Sequence, residues 1–312
     1  MKAVVYPLRA GHLTVAELID LYMGQYAGRD SSRSQRLGWW RVQIGRLTLD
    51  EVSDDHLHAA LEALKDQPAR YFAGRDADGR AIHKAKKRQI SPATLNRYAA
   101  SIGAVFTWGI KRRIAPKGWT HPGRAIERNP ESSGRTRFLS NDERDRLLQA
   151  CKGASWPKLY LLVLMALTTG ARKGELLGMR WQDVDPAHGV VHVATTKNND
   201  PKALPLTPPV LAELERLRDA PGALVFASPR VPAKPFGFEP MWKATLKVCA
   251  IKAFRFHDLR HSCASMLAQN GATLLEIGDL LGHRQVSMTK RYSHLAAGHR
   301  SAMVCRVMGE VQ

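Results

Sequence analysis

Cysteine is scarce in this 312-residue chain, and the four present, at positions 151, 249, 263 and 305, never form a Cys-x-x-Cys pair. That excludes a zinc knuckle and a disulfide framework, and leaves reduced, mostly packed thiols. Long apolar runs are missing too. The longest, Leu159 to Leu167, is nine residues, about half of what a bilayer span needs. The opening residues, Met1-Lys2-Ala3-Val4-Val5-Tyr6-Pro7, lack the apolar stretch and cleavage site of a signal peptide, so a soluble, cytoplasmic protein is expected. No Gly-x-x-x-x-Gly-Lys phosphate loop occurs, which argues against ATP as a partner. Aromatic residues are only 7% of the chain, yet the hydrophobic share of 44% suffices for sizeable cores. The length suits two domains of ordinary size.

Acidic residues are under-represented, and this shortage is the most informative. Lys and Arg number 47 against 28 Asp and Glu, a net charge of +19, and the pI is about 10.1. The excess is shared, with +10 on residues 1–130 and +9 on residues 131–312. A basic tail on a neutral enzyme would have concentrated it. An even distribution suits two domains that both lie on a polyanion and release counterions as they bind. Charge alone allows a nucleic acid or an anionic membrane, and no basic amphipathic anchor helix stands out.

Thr14 to Tyr26 reads as a helix with Thr14 as N-cap and Glu17 three residues on. Val52 to Leu64 repeats the pattern behind Ser53. From Pro68 to Gln89 the chain turns polar and irregular, with Gly74, Asp78-Gly79 and the basic run Lys84-Ala85-Lys86-Lys87-Arg88, and is expected to be a loop or flexible insertion. Ser91-Pro92 opens a long helix with an apolar stripe of Leu95, Tyr98, Ala99, Ile102, Val105, Phe106 and Ile110. Residues 129–137 have linker composition. The boundaries that follow are 1–130 for a helical domain, 131–137 for a linker and 138–312 for a second domain. Ser140 and Glu143 form a capping-box sequence, and the apolar helix 159–167 ends at Thr168-Thr169-Gly170. Val190 to Thr196 reads as a strand, Asn198-Asn199-Asp200-Pro201 as a turn, and Ala203 to Leu206 as the return strand. The remainder reads as mostly helical.

Four segments of the second half stand out: Thr169-Gly170-Ala171-Arg172-Lys173-Gly174-Glu175-Leu176-Leu177, then Thr196-Lys197, then His257-Asp258-Leu259-Arg260-His261, then Leu280-Leu281-Gly282-His283 with Tyr292 nine residues on. In this order they resemble the tyrosine recombinase (phage integrase) family. The resemblance is detailed over the second half and only outlined in the first. It implies a mainly α fold with a small β-hairpin or sheet, an all-helical core-binding domain preceding a mixed α/β catalytic domain. It implies a site-specific recombinase that cleaves and rejoins DNA through a 3′-phosphotyrosyl link and needs no cofactor. Arg172, Lys197, His257, Arg260, His283 and Tyr292 would fill the six catalytic positions. The partners implied are double-stranded DNA, a homotetramer with two protomers per site, accessory bending or directionality factors, and the nucleoid as location. The apolar stripe Met303, Val304, Val307, Met308 and Val311 either caps its own domain or, as in the family, docks on a neighbouring subunit. The helices begin near Thr14, so the arm-binding domain that many phage integrases carry ahead of them is not expected.

The chemistry explains these residue types. Attack on a phosphodiester builds negative charge on the non-bridging oxygens, which two permanently charged guanidinium forks, Arg172 and Arg260, can grip. A phenol with a reference pKa near 10 needs help to lose its proton. His257 is the candidate for that help, with His283 a second donor to the phosphate. Lys197, at a hairpin tip, suits protonation of the departing oxygen, with Lys202 across the turn as competitor. The polar neighbours of Tyr292 favour an exposed hydroxyl. Glu175 is expected to pair with a basic group, and His261 to support the helix or the site. Lys84, Lys86, Lys87 and Arg88 either form a solvated loop or contact the DNA backbone.

Two other classes share some of these features. A non-catalytic DNA-binding regulator would account for the charge but leaves six catalytic residue types without a role. A zinc hydrolase would use the His257-x-x-x-His261 spacing, yet Asp258 stands where a Glu base would be expected. The candidate segments offer carboxylates only singly, so no metal is implied.

Overall fold

The computed structural model describes residues 13–132, 135–193 and 201–296, together with 304, 305 and 307–309. The chain falls into two compact units, one ending at Gly134 and the other starting at Arg135.

In the first unit, helices α1 (Val15–Gly24), α2 (Arg33–Ile44) and α3 (Asp54–Lys65) pack around the longer α4 (Pro92–Lys111). The N-cap of α1 is Thr14, whose hydroxyl accepts from the Glu17 amide at 3.3 Å while Glu17 accepts from the Thr14 amide at 2.8 Å. Ser53 caps α3 in the same way, with His56 as its partner. The stripe on α4 is core: Leu95, Ile102, Val105 and Phe106 are buried. Two indoles tie the helices to backbone, Trp40 Nε1 donating to the Tyr98 carbonyl at 2.9 Å and Trp119 Nε1 to that of Leu49 at 2.8 Å. Helix α2 is not evident from the sequence. Its buried residues Leu37, Trp40 and Ile44 recur at helical spacing but are diluted among Arg, Gln and Gly.

The stretch expected to be a loop is instead an antiparallel hairpin of β1 (Pro68–Arg75) and β2 (Ala81–Gln89). Its turn is closed by the Gly79 amide donating to the Asp76 carbonyl at 3.0 Å and the Arg80 amide to the Asp76 carboxylate at 2.8 Å. Gly79 adopts φ 78° there, a conformation glycine reaches without strain. The signal was present. Asp78-Gly79 between Tyr71-Phe72 and Ile82-His83 is a hairpin pattern, obscured by the lysine-rich return strand.

In the second unit, α6 (Lys158–Thr169) is enclosed on all sides, with Leu159 and Leu161 to Leu167 all buried, as its unbroken apolar run requires. It packs against α5 (Asn141–Lys152), α8 (Pro208–Arg216) and α10 (Asp258–Gln269). Between α7 (Lys173–Leu177) and α8 lies a three-stranded antiparallel sheet of β3 (Val184–Asp185), β4 (Val190–Val193) and β5 (Lys202–Pro205). Val193 pairs with Lys202, so Lys202 opens the return strand at the connected end of the β4–β5 hairpin, and Val190 and Pro205 lie at the other end. Helices α9 (Glu239–Val248) and α11 (Leu274–Leu281), then two 3-10 segments, Val286–Met288 and Lys290–Ala296, complete the unit. Near the C-terminus, Val304, Val307 and Met308 are each more than half exposed and add nothing to the core of their own domain, while Met303 and Val311 lie outside the described residues. No helix among the described residues is long and apolar enough to cross a membrane.

Two left-handed glycines stop helices where the site begins. Gly170 (φ 60°) ends α6 and Gly282 (φ 67°) ends α11. A Cβ on Gly170 would stand 2.4 Å from Leu281 Cδ2. Gly170→Ala is therefore expected to cost about 1–3 kcal/mol, combining backbone strain with overpacking, read as a lower thermal midpoint for the second unit.

Candidate active site

Arg260 is a buried charge of the second unit, held by two hydrogen bonds. It projects from α10 and is 4% exposed. Its Nη1 donates to the Gly170 carbonyl at 2.8 Å and its Nη2 to the Leu281 carbonyl at 2.6 Å. One guanidinium thus joins the C-terminal ends of α6 and α11. Burial, and after it the charge of Arg172, pulls its pKa down to about 10, leaving it protonated at neutral pH.

Arg172 follows Gly170 by two residues and N-caps α7. Its amide donates to Glu175 Oε2 at 2.9 Å and its Nη1 to Oε1 at 2.8 Å. Glu175 also pairs with Lys202 Nζ at 2.9 Å. Burial alone would raise the Glu175 carboxyl, but hydrogen bonds from the Arg172 amide, Lys202 and the Arg172 side chain outweigh it and hold the group below the usual range. Glu175 therefore pairs with basic groups, as expected, and its partners are two. Burial pushes the Lys202 ammonium below its ordinary pKa, against the pull of Glu175. Lys197 lies outside the described residues.

His257 occupies the N-cap position of α10, three residues before Arg260. Partial burial, then the charge of Arg260, lowers its pKa. Asp258, fully buried, accepts from the Arg255 amide at 2.8 Å and pairs with Arg135 at 3.9 Å, which fixes the start of the helix. His283, directly after Gly282, shares a 2.8 Å hydrogen bond between its Nδ1 and Thr289 Oγ1. Burial, then Arg260 and Arg172, lowers its pKa to about 4. The charges that depress His283 also act on each other, so Arg172, Arg260 and His283 lie in one electrostatic neighbourhood, and Arg260 and Arg172 act on His257 as well.

Tyr292 departs from expectation. Its ring is 3% exposed, packed with Ala264, Ala268, Ile277 and Leu281. Its hydroxyl shares a 2.6 Å hydrogen bond with His261 Nδ1. The residue sits in the 3-10 segment Lys290–Ala296, whose three-residue period places Tyr292 and Leu295 on one inward face while Lys290, Arg291 and His294 stay exposed. Polar sequence neighbours thus described the outer face of the turn, not its inner one. Burial raises the pKa of the phenol, opposed by the charges of Arg291 and Arg260. His261 is 9% exposed, and burial, then His257, pulls its pKa to about 4. It is therefore neutral near pH 7, and with its proton on Nε2 it accepts the phenolic hydrogen.

The basic residues Lys84, Lys86, Lys87 and Arg88 all lie on β2 and are exposed.

Residues 137–299, just over half of the chain, match the family described as the phage integrase family. The chain belongs to the phage integrase family. Among its relatives, the shufflon-specific DNA recombinase of Escherichia coli is 33% identical over 179 residues, 57% of this chain and 45% of that one. The integrase of Salmonella phage P22 is 25% identical over 291 residues, 85% of this chain and 71% of that one. Among solved structures, the Tn1549 transposon integrase in complex with transposon right end DNA shares the fold over 95% of this chain and 99% of that one, with a TM-score of 0.70 at 16% identity. A lambda integrase dimer bound to a core site matches over 88% of this chain and 97% of that one, with a TM-score of 0.63 at 20% identity. The mainly helical fold with small sheets read for this integrase-family chain is thereby established.

Two histidines held near pKa 4 have a consequence for stability. An unfolded His titrates near 6.5. As pH falls from about 6.5 toward 4, the unfolded chain takes up protons that folded His261 and His283 refuse, so stability drops through that window. The thermal midpoint should fall between pH 7 and pH 5, and His261→Phe, which cannot take a proton, should flatten that fall.

Proposed function

We propose that this chain is a site-specific DNA recombinase in which Tyr292 is the nucleophile and Arg172, Arg260, His257 and His283 surround the reacting phosphate. The observation that carries the reading is the convergence of two guanidiniums and a histidine from three separate segments into one electropositive neighbourhood, with Tyr292 beside it against α10. The Tyr292 oxygen attacks phosphorus as His257 takes the phenolic proton, the bond to the 5′ oxygen breaks, and a 3′-phosphotyrosyl link forms. A new 5′-hydroxyl reverses these steps. The bond energy is conserved in the link, so no fuel is consumed. Arg172 and Arg260 stabilise the charge that develops on the non-bridging oxygens. For the phenol to reach phosphorus, its bond to His261 opens and the 3-10 segment turns outward.

The departing 5′ oxygen takes its proton from Lys197. Lys202 acts differently. Its ammonium is engaged by Glu175, which keeps that buried carboxylate from neutralising Arg172 alone. Duplex DNA is the substrate, and the protein acts as a multimer, a tetramer assembled from two protomers per site. The exposed Val304, Val307 and Met308 then dock on a neighbouring protomer. The domain division at residues 131–137 separates a DNA-gripping unit from the catalytic one.

The test is a nicked duplex carrying the recombination site, sought among direct repeats in the DNA that flanks the coding sequence, incubated in EDTA and run on a denaturing gel. Wild-type protein should give a covalent adduct and Tyr292→Phe none. Arg172→Ala or Arg260→Ala should slow adduct formation about 10²–10³-fold. Salt-sensitive binding without an adduct would make the chain a regulator instead. A substrate with sulfur at the 5′ bridging position, whose leaving group needs no proton, should rescue Lys197→Ala but not Lys202→Ala.

A further inference from the structure

The hairpin of β1 and β2 is an anomaly of the first unit. Its strands run eight and nine residues, yet neither face is covered. Among the residues whose exposure is described, only Ala69 and Gly74 are even partly shielded. A two-stranded ribbon with no core of its own is marginal in water. Two large aromatics remain exposed on it, Tyr71 at 44% and Phe72 at 57%. Residues 68–89 carry seven Lys and Arg against two Asp, a net of +5.

The register sorts these groups onto two faces. Tyr71 pairs with Lys84 and Phe72 with His83. Lys86 Nζ lies 5.9 Å from the Tyr71 ring centroid, and the Phe72 and His83 rings meet edge-on at 6.0 Å. One face therefore carries Tyr71, Lys84 and Lys86, and the other Arg70, Phe72 and His83; the register shifts between Pro68 and Arg70, and alternation along β2 from Lys86 puts Lys87 on the second face. Both faces are basic and both hold an aromatic ring. A plane would engage only one of them. A groove between two phosphate walls engages both.

We propose that this hairpin is a β-ribbon that enters a groove of duplex DNA, with Lys84 and Lys86 on one phosphate wall and Arg70 and Lys87 on the other. The inference rests on the recombinase function proposed for the chain and names a second, non-catalytic contact for it. The dimensions fit. Two paired strands with their side chains occupy roughly the 12 Å width of the major groove, and eight residues extend about 26 Å, enough to cross a duplex. A lipid surface fits less well. The two carboxylates, Asp76 and Asp78, sit at the tip, where an inserting hairpin would need apolar groups, and the aromatics lie mid-strand on opposite sides.

The experiment measures binding of the full chain to a short fluorescent duplex of mixed sequence across a salt series. Two double variants are compared with wild type: Lys84→Ala/Lys86→Ala and Arg70→Ala/Lys87→Ala. All four side chains are exposed, and unchanged circular dichroism and thermal melting confirm folding. Each pair should lower the slope of log affinity against log salt by about 2, since each phosphate contact contributes about 0.9, and should weaken binding about tenfold or more. An unchanged slope for both pairs makes the lysines solvating groups on an exposed edge and overturns the proposal. Loss for one pair alone overturns it in favour of a flat contact. Binding to phosphatidylserine vesicles that the variants lose, with duplex binding intact, overturns it in favour of a membrane. Wild-type protein that shows no salt-dependent duplex binding fails the recombinase function itself, a result distinct from all of these.

Discussion

One buried cation, Arg260, sets the geometry of the second unit. Taking a guanidinium out of water costs several kcal/mol, and among the described residues no carboxylate bonds to this one directly. Two backbone carbonyls do, those of Gly170 and Leu281. Hydrogen bonds from a charged donor contribute about 1.5–3 kcal/mol each, and both acceptors lie at helix C-terminal ends, where the aligned peptide dipoles favour positive charge. The arrangement requires α6 and α11 to stop abruptly within reach of the same side chain. The left-handed glycines at 170 and 282 make both stops.

The rest of the site follows from holding that charge in place. Arg172, tethered two residues beyond Gly170, is brought into the field of Arg260, and Glu175 compensates part of the accumulated charge while Lys202 restores it. Three cations against one carboxylate leave a locus with a net affinity for anions. Burial, and after it Arg260 and Arg172 at His283 and His257 at His261, keeps both imidazoles neutral. A neutral imidazole offers one donor and one acceptor nitrogen, and Nδ1 of each is engaged, by Thr289 in His283 and by Tyr292 in His261. The phenol is thus stored against an imidazole and an apolar pocket at the edge of the charged cluster, with its pKa raised by burial. Storage of this kind keeps the phenol protonated.

Much of the fold was legible. Capping boxes at Thr14, Ser53 and Ser140 marked helix starts because they use only local contacts, and the unbroken apolar run of α6 demanded enclosure. The segments that carry Arg172, Arg260 and His283 could be named for the same reason: glycine stops and the His257–Arg260 spacing are local. The basic hairpin was misread because its turn signal was short and its lysines resemble loop composition. Helix α2 is not legible because its five apolar residues include Trp39 and Val42 off the buried stripe, which blurs the spacing of Leu37, Trp40 and Ile44.

The orientation of Tyr292 was not legible. Its neighbours in sequence are polar, but which side of a 3-10 turn faces α10 depends on Ala264, Ala268 and Ile277, residues distant along the chain. Sequence alone determined the kinds of group available: their charges, the points where helices begin and end, and an excess of positive charge on both units. Tertiary structure alone decided which of those groups share a field, which carbonyls Arg260 takes, and that the phenol rests on His261. Charge and helix termination are properties of short stretches, whereas burial and hydrogen-bond choice are settled by whatever the folded chain brings alongside.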